Sequence, residues 1–265
     1  MREIPNDELK IICIGVLKRF DEICQAHNLK YSLAYGTLIG AVRHGGFIPW
    51  DDDIDVIMPR DDYERLLALK YDDGDFEIKS CRYSKNYYYM FAKMIDKHTC
   101  LIEDHIDNKD MGVYIDIFPY DRVSPDSPDF DALINKSVKF KQFSDHLISS
   151  GRKKDGENEL HHIVKRAVQT AIKPLRRIII NHFDTAMSKK TGNYCINLIH
   201  NDCYKCNLFS TALWDDLIDV EFEGLKMKAL KDYDQILTNR YGDYMQLPPE
   251  EERVGHHGFV AYYKD

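Results

Sequence analysis

Trp50-Asp51-Asp52-Asp53-Ile54-Asp55-Val56 puts four aspartates into five residues at the mouth of an apolar run. Like charges repel, so carboxylates packed at a strand entrance are costly unless a cation neutralises them. Ile54 to Met58 is rich in β-branched residues and bounded by Pro49 and Pro59, which predicts a strand. Residues two apart on a strand share a face. Asp53 and Asp55 are therefore expected to point together, while Ile54 and Val56 enter the core. Hard oxygen donors so arranged suit Mg2+ or Mn2+.

Several sites carry clustered aspartates. An EF-hand loop starting at Asp51 would need Gly at position six and Glu at position twelve; Val56 and Asp62 stand there. A prenyl-diphosphate DDxxD pattern fits Asp51, Asp52 and Asp55 but needs a helix, which the prolines and β-branched residues oppose. A glycosyltransferase DxD fits Asp53 and Asp55, yet only one helix and one short strand precede it, too little for a nucleotide-binding βαβ unit. A solvated acidic turn is the plain alternative. A nucleotidyltransferase-type site needs a small-residue turn upstream, a Dx[DE] strand and a third carboxylate on a neighbouring strand. Gly36-Thr37 supplies the turn, opening a helix whose backbone N–H groups suit phosphate. Asp116, the lone acid in Val113-Tyr114-Ile115-Asp116-Ile117-Phe118, supplies the third carboxylate. Three such groups can bind one or two divalent ions that bridge a nucleotide diphosphate.

The remaining pattern predicts a helix from Asn6 and Asp7 to about Asn28, with apolar residues recurring at three and four. A strand over 31–35 and a short helix over 38–43 follow, then a helix over 60–69. Strands are expected over 76–81, 87–96 and 112–118, with Pro119, Pro125 and Pro128 marking a linker. From about 128 to 190 the chain reads as helical and basic, broken at 151–156 and kinked or restarted at Pro174. Glu223-Gly224 joins two apolar runs as a hairpin, and a last helix over 232–241 ends at Gly242. The fold class is α/β (α+β), a mixed-sheet core. Its parts are a catalytic core at 1–120, a basic helical region at 121–190 and a small C-terminal α+β part at 191–265 that packs back on the core.

The 265 residues carry 44% hydrophobic and 30% charged side chains, ordinary for a soluble globular protein. No uncharged apolar run approaches the roughly 18 residues of a membrane span. The charged first ten residues are unlike a secretory leader, and seven cysteines without a spaced framework read as reduced thiols in a cytoplasmic protein. The net charge of −8 opposes a general nucleic-acid binder. It hides two poles. Residues 136–190 hold 13 Lys or Arg against 5 Asp or Glu, whereas residues 51–64 hold seven acids and one Arg.

The stretch from Tyr35-Gly36-Thr37-Leu38-Ile39-Gly40 through Arg43-His44-Gly45-Gly46-Phe47-Ile48-Pro49 to Asp55-Val56 closely resembles the signature of the LicD family, which is related to fukutin and fukutin-related protein. Ala92-Lys93-Met94-Ile95-Asp96, Ile115-Asp116-Ile117-Phe118-Pro119 and Tyr241-Gly242-Asp243-Tyr244-Met245-Gln246-Leu247-Pro248-Pro249 resemble its later blocks. The resemblance implies a nucleotidyltransferase-like fold. It implies transfer of phosphocholine, or another phospho-alcohol, from a CDP-alcohol to a glycan hydroxyl of teichoic acid or lipopolysaccharide, with CMP leaving. A nucleotidyl- or glycosyltransferase on the same fold is an alternative. A non-catalytic glycan- or nucleotide-binding module at a membrane surface is another.

Asp53, Asp55 and Asp116 are the expected ligands of Mg2+ or Mn2+, with Asp116 also placed to accept the acceptor's proton. Gly36, Thr37, Arg43, His44 and Lys93 are candidate phosphate or nucleotide contacts, and His256 and His257 are candidates to join them from the C-terminal side. Trp50 with Tyr87, Tyr88 and Tyr89 is a candidate cation–π pocket for a quaternary ammonium. Cys203 and Cys206, with His200 nearby, have the spacing of a structural Zn2+ site, against which stand plain thiols. The basic, amphipathic 136–190 region suits either an anionic membrane surface at the inner face or a helix packed with a solvated basic side.

Overall fold

The computed structural model describes residues 1–103, 110–148, 158–172, 174–199, 204–255 and 259–264. Strand β1 (Arg2–Glu3) leads into helix α1 (Asn6–Ala26). Its apolar stripe, Leu9, Cys13, Val16, Leu17, Phe20 and Ile23, is buried. Pro5 precedes the helix and no side chain caps it, so the expected capping by Asn6 or Asp7 is not what holds it. Packing is: full burial of a Leu or Phe contributes about 1.5–3 kcal/mol each, more than a cap.

Next come β2 (Ser32–Leu33), α2 (Tyr35–His44), β3 (Asp55–Pro59), α3 (Arg60–Ala68), β4 (Phe76–Lys79), β5 (Ala92–Asp96), β6 (Thr99–Glu103) and β7 (Tyr114–Val123). Three helices follow, α4 (Phe130–Ile148), α5 (Glu159–Ile172) and α6 (Arg176–Met187). After them run β8 (Tyr194–Ile196), β9 (Phe209–Ser210), β10 (Leu217–Phe222), β11 (Leu225–Leu230), α7 (Tyr233–Tyr241) and β12 (Phe259–Tyr263).

The main sheet is mixed, in the order β2-β3-β7-β5-β4, with β8 on the far part of β7 and β9 on β8. β3 and β7 run parallel, with Asp55 opposite Asp116. β5 lies antiparallel on the other side of β7, placing Lys93 opposite Asp116. Helix α1 packs across β5 and β7, and α3 across β3 and β7. A separate three-stranded sheet inserts β12 between β1 and β6. The α/β reading of the sequence therefore holds.

Several elements differ from expectation. β7 runs through Pro119 to Val123, where a linker was expected. Pro119 sits after β5 ends at the Ala92–Ile117 pair and before β8 begins at Asp121–Ile196. In that gap its missing N–H interrupts no ladder on that side. Residues 87–91 are irregular rather than strand, closed by the Tyr87 hydroxyl donating to the Phe91 carbonyl at 2.7 Å. The predicted hairpin forms, with Glu223 and Gly224 both at positive φ, 51° and 75°.

The basic helical region is partly built into the core. Arg60 donates to Asp121 at 2.7 Å and to Asp184 of α6 at 2.9 Å, all three side chains being buried. Phe140 stacks flat on Phe183 at 3.9 Å, and Arg176 lies buried over the Tyr88 ring at 3.4 Å. α5 instead keeps Ile163, Val164 and Val168 exposed. Among the described residues no helix is long and apolar enough to cross a membrane.

Candidate active site

The acidic stretch is only partly strand. β3 begins at Asp55, so Asp51 to Asp53 form the turn that enters it, with the Asp51 N–H donating to the Ile48 carbonyl at 2.9 Å. The expected alternation of Asp53 and Asp55 along one strand face is therefore replaced by a turn. That turn gathers Asp51, Asp52 and Asp53, whose nearest carboxylate oxygens lie within 4.8 Å of one another. Asp55 stands at the start of β3 and Asp116 beside it on β7.

Asp55 is gripped by its own backbone. Its N–H donates to Thr37 Oγ1 at 2.8 Å, and its carbonyl accepts from the Ala34 N–H at 3.0 Å. The Asp116 N–H donates to the Ile54 carbonyl at 2.8 Å, tying the two acidic segments together. Gly36 lies against Asp51: a Cβ there would meet Asp51 Oδ2 at 2.6 Å. The hairpin tip clamps the loop upstream. Glu223 Oε1 accepts from the Phe47 N–H at 2.9 Å, and the Glu223 N–H donates to the Gly45 carbonyl at 2.8 Å.

Electrostatics show the carboxylates crowding one another at Asp55. Burial, then the neighbouring Asp53, Asp116 and Asp51, push the Asp55 carboxyl well above the usual carboxylate range, with Lys93 pulling the other way. Lys93 is buried, donates to Asp116 Oδ1 at 2.5 Å, and sits over the Tyr114 ring at 3.3 Å. The Lys93 ammonium thus lies between the ring of Tyr114 and the Asp116 carboxylate. Carboxylate oxygens crowded enough to disfavour ionisation of Asp55 fit a small hard divalent ion.

A family model described as LicD/FKTN/FKRP, nucleotidyltransferase domain, matches residues 28–150, which contain all five aspartates. The lipopolysaccharide cholinephosphotransferase LicD of Haemophilus influenzae is 30% identical over 280 aligned positions, covering 99% of each chain. The chain belongs to the LicD family of phosphotransferases. Uncharacterized proteins of Rickettsia prowazekii and Rickettsia typhi are 45% identical over 54 and 55 residues, about a fifth of this chain.

In this LicD-family chain the other expected contacts fall into distinct places. Thr37 is buried and serves the Asp55 backbone; its neighbour Gly36 touches the acidic turn. Arg43 is tied to the C-terminal block, donating to the Tyr244 carbonyl at 2.7 Å and the Gln246 carbonyl at 3.3 Å, and to His44 Nε2 at 2.9 Å. Burial and the adjacent Arg43 hold His44 below its ordinary value. Lys93, a candidate phosphate contact, lies on a central strand and pairs with Asp116.

Tyr87 is buried, and the faces of Tyr88 and Tyr89 are covered by the chain's own Arg176 and Lys93. The expected four-ring pocket is thus not an open cage. Trp50 lies under Arg253 and lines a cavity of about 410 Å³ with Arg43, Tyr241, Tyr244 and Glu252. His256 and His257 lie outside the described residues.

Cys13, Cys24, Cys81, Cys100 and Cys195 are free, as expected of reduced thiols, whereas Cys206 is disulfide-bonded. Cys203 and His200 of the candidate zinc site lie outside the described residues. Sequence reasoning did not anticipate that Arg240 lies over the Tyr35 ring, its guanidinium carbon 5.0 Å from the ring centre. Arg240 directly precedes the quoted Tyr241-Gly242-Asp243, and Tyr35 opens the quoted stretch that runs on to Gly36-Thr37. That contact requires α7 to fold back toward α2, which no local pattern encodes.

Proposed function

We propose that the chain transfers phosphocholine from CDP-choline to a hydroxyl of a cell-surface glycan, with lipopolysaccharide as the favoured class. The observation that carries the reading is the pairing of Asp55 with Asp116 beside the Asp51–Asp53 turn, in a chain whose full-length relative is a lipopolysaccharide cholinephosphotransferase. Asp53, Asp55 and Asp116 would hold Mg2+ or Mn2+, with Asp51 and Asp52 completing the negative field. An ion held by these carboxylates would supply Lewis-acid charge to the donor's phosphates.

The chain's residues set the geometry of the exchange. The acceptor oxygen forms a bond to the phosphorus of the phosphocholine unit. The bond from that phosphorus to the bridging oxygen breaks, and its electron pair leaves with CMP. The hydroxyl proton passes to a carboxylate, for which Asp116 is the candidate. The Lys93 ammonium, 2.5 Å from Asp116 Oδ1, orients that carboxylate. The backbone clamp from Thr37 and Ala34 fixes Asp55. A nucleotide donor and a glycan still on its lipid carrier meet at the inner face of a membrane. The exposed Ile163, Val164 and Val168 of α5, with exposed Arg166 and Arg177 nearby, suit such a surface.

The test is incubation with a panel of CDP-alcohols, a divalent ion and candidate glycans, read by mass spectrometry. Release of CMP with gain of phosphocholine on the glycan is the expected result. Gain of a nucleotidyl or glycosyl mass would replace this reading.

A further inference from the structure

We propose that the cavity beside Trp50 takes the nucleoside of the donor, with the base against the Trp50 and Tyr241 rings. The proposal rests on the reading above for the presence of a nucleotide donor, and its ring chemistry is tested apart from transfer.

The cavity, of about 410 Å³, lies between α2 and the turn that follows α7. One face of α2 joins it to the acidic centre. Residues three and seven apart share a helix face, so Gly36, Ile39 and Arg43 form one line. Gly36 lies against Asp51, whereas Ile39 and Arg43 border the cavity. From Gly36 to Arg43 the helix rises about 10 Å, so the cavity begins beside the acids and extends away from them. The loop into the acidic turn is the second connection. Ile48 and Trp50 border the cavity, and the Ile48 carbonyl accepts from the Asp51 N–H at 2.9 Å. Burial raises the Tyr241 hydroxyl, Arg240 lowers it, and the charges of Asp55 and Asp51 raise it again. The Tyr241 wall thus also lies within the field of the acids.

These walls are held by contacts between distant segments. Arg43 donates to the Tyr244 and Gln246 carbonyls at 2.7 and 3.3 Å. The Tyr244 hydroxyl donates to Asp234 at 2.7 Å, which ties the turn back to α7. Arg253 donates to the Pro248 carbonyl at 2.9 Å, and its guanidinium carbon lies 5.7 Å from the centre of the Trp50 ring. One residue therefore joins the Trp50 side to the Pro248 side. Ile39, Ile48 and Tyr244 are buried and make the lining apolar, whereas Tyr241 is 42% exposed.

A nucleoside asks three things of such a space. Its base is a flat π surface that stacks on aromatic rings, which Trp50 and Tyr241 supply. Its base edge and ribose hydroxyls carry donors and acceptors together. Arg43, a donor, and Asp243 and Glu252, acceptors, border the cavity. Its phosphates must continue toward the acidic centre, and the α2 face leads there. An apolar lining with a few polar groups that fix orientation is the usual build of a small-molecule site.

The test uses the full chain and calorimetry with cytidine, CMP and choline chloride, and with uridine and adenosine for comparison. Cytidine carries no phosphate, so its binding reports the ring site without the acidic centre or a divalent ion. The parent is expected to bind cytidine and CMP. Trp50→Ala and Tyr241→Ala are each expected to weaken both about fivefold to a hundredfold, the range of one base stacked on one ring. Trp50→Phe should recover most of the Trp50 loss. The melting temperature of Tyr241→Ala should match the parent's, because that side chain is exposed. Binding of uridine or adenosine that depends on Trp50, with no binding of CMP, keeps the nucleoside site and removes the CDP-alcohol reading. Equal CMP affinity in the parent and in either folded alanine variant overturns the proposal, as does a parent that binds no nucleoside or nucleotide. Choline binding that is lost with Trp50 while cytidine binding persists also overturns it, by making the cavity a quaternary-ammonium site. Should Trp50→Ala fail to fold, Tyr241→Ala decides by the same comparison.

Discussion

Asp55 on β3 and Asp116 on β7 are register partners across a parallel strand pair. Sheet geometry, not a flexible loop, sets their separation, so neither carboxylate can drift from the other without moving a strand. Asp55→Asn and Asp116→Asn are each expected to lower kcat by about 10²–10³-fold, the scale seen when one preorganised electrostatic contact is removed. Circular dichroism should show both variants folded. Turnover near the parent level in both would falsify the assignment of the centre.

Gly36→Ala places a methyl where Asp51 Oδ2 now sits. The acidic turn must shift, while the sheet behind it need not. The expected outcome is weaker Mn2+ binding in calorimetry with a melting temperature close to the parent's. A change in melting temperature with unchanged Mn2+ affinity would contradict it.

Thr37→Val keeps the shape of the side chain but removes the acceptor of the Asp55 N–H. A buried donor left without a partner costs about 1–3 kcal/mol. Urea denaturation should show that loss, and Thr37→Ser should restore most of it.

Arg60→Met removes the buried cation that joins Asp121 to Asp184, leaving Asp184 to Arg82 alone among its described cations. Breaking a buried pair from one side costs about 3–5 kcal/mol. Because Asp184 belongs to α6, hydrogen exchange should rise in that helix before it rises in the sheet.

Acid sensitivity has a separate origin. Burial raises the Asp73 carboxyl, but hydrogen bonds from Tyr71, the Phe76 and Asp75 amides and Arg19 outweigh it and hold it at about 2. A lowered carboxylate stabilises the fold above its unfolded value near 4, and that stability is lost as pH falls toward 2. Asp73→Asn should flatten the stability profile across this window and leave the profile near neutrality parallel to the parent's.

What the sequence disclosed was what local pattern encodes. The apolar period of α1, the β-branched run after Asp53 and the Glu223-Gly224 turn each settle their own element. Asp116 stood out because a lone acid between apolar strand residues is conspicuous. Burial of Lys93 was not legible, since whether a strand is central or edge depends on its neighbours. β12 escaped for the same reason: Phe259–Tyr263 becomes a strand by slotting between β1 and β6, and carries no clear alternation of its own. The tie of Arg43 to the Tyr244 and Gln246 carbonyls spans about 200 residues, beyond any spacing argument.

The insertion of β12 has a kinetic consequence. Arg2 pairs with Tyr263 and Glu3 with Tyr262, while Val260 pairs with Ile102. This small sheet is a clasp that joins segments far apart in sequence. It cannot close until residues 259–263 are available, so during synthesis it forms later than the β3–β7 pairing. Displacing β12 frees both β1 and β6, and the three segments should therefore loosen as one cooperative unit.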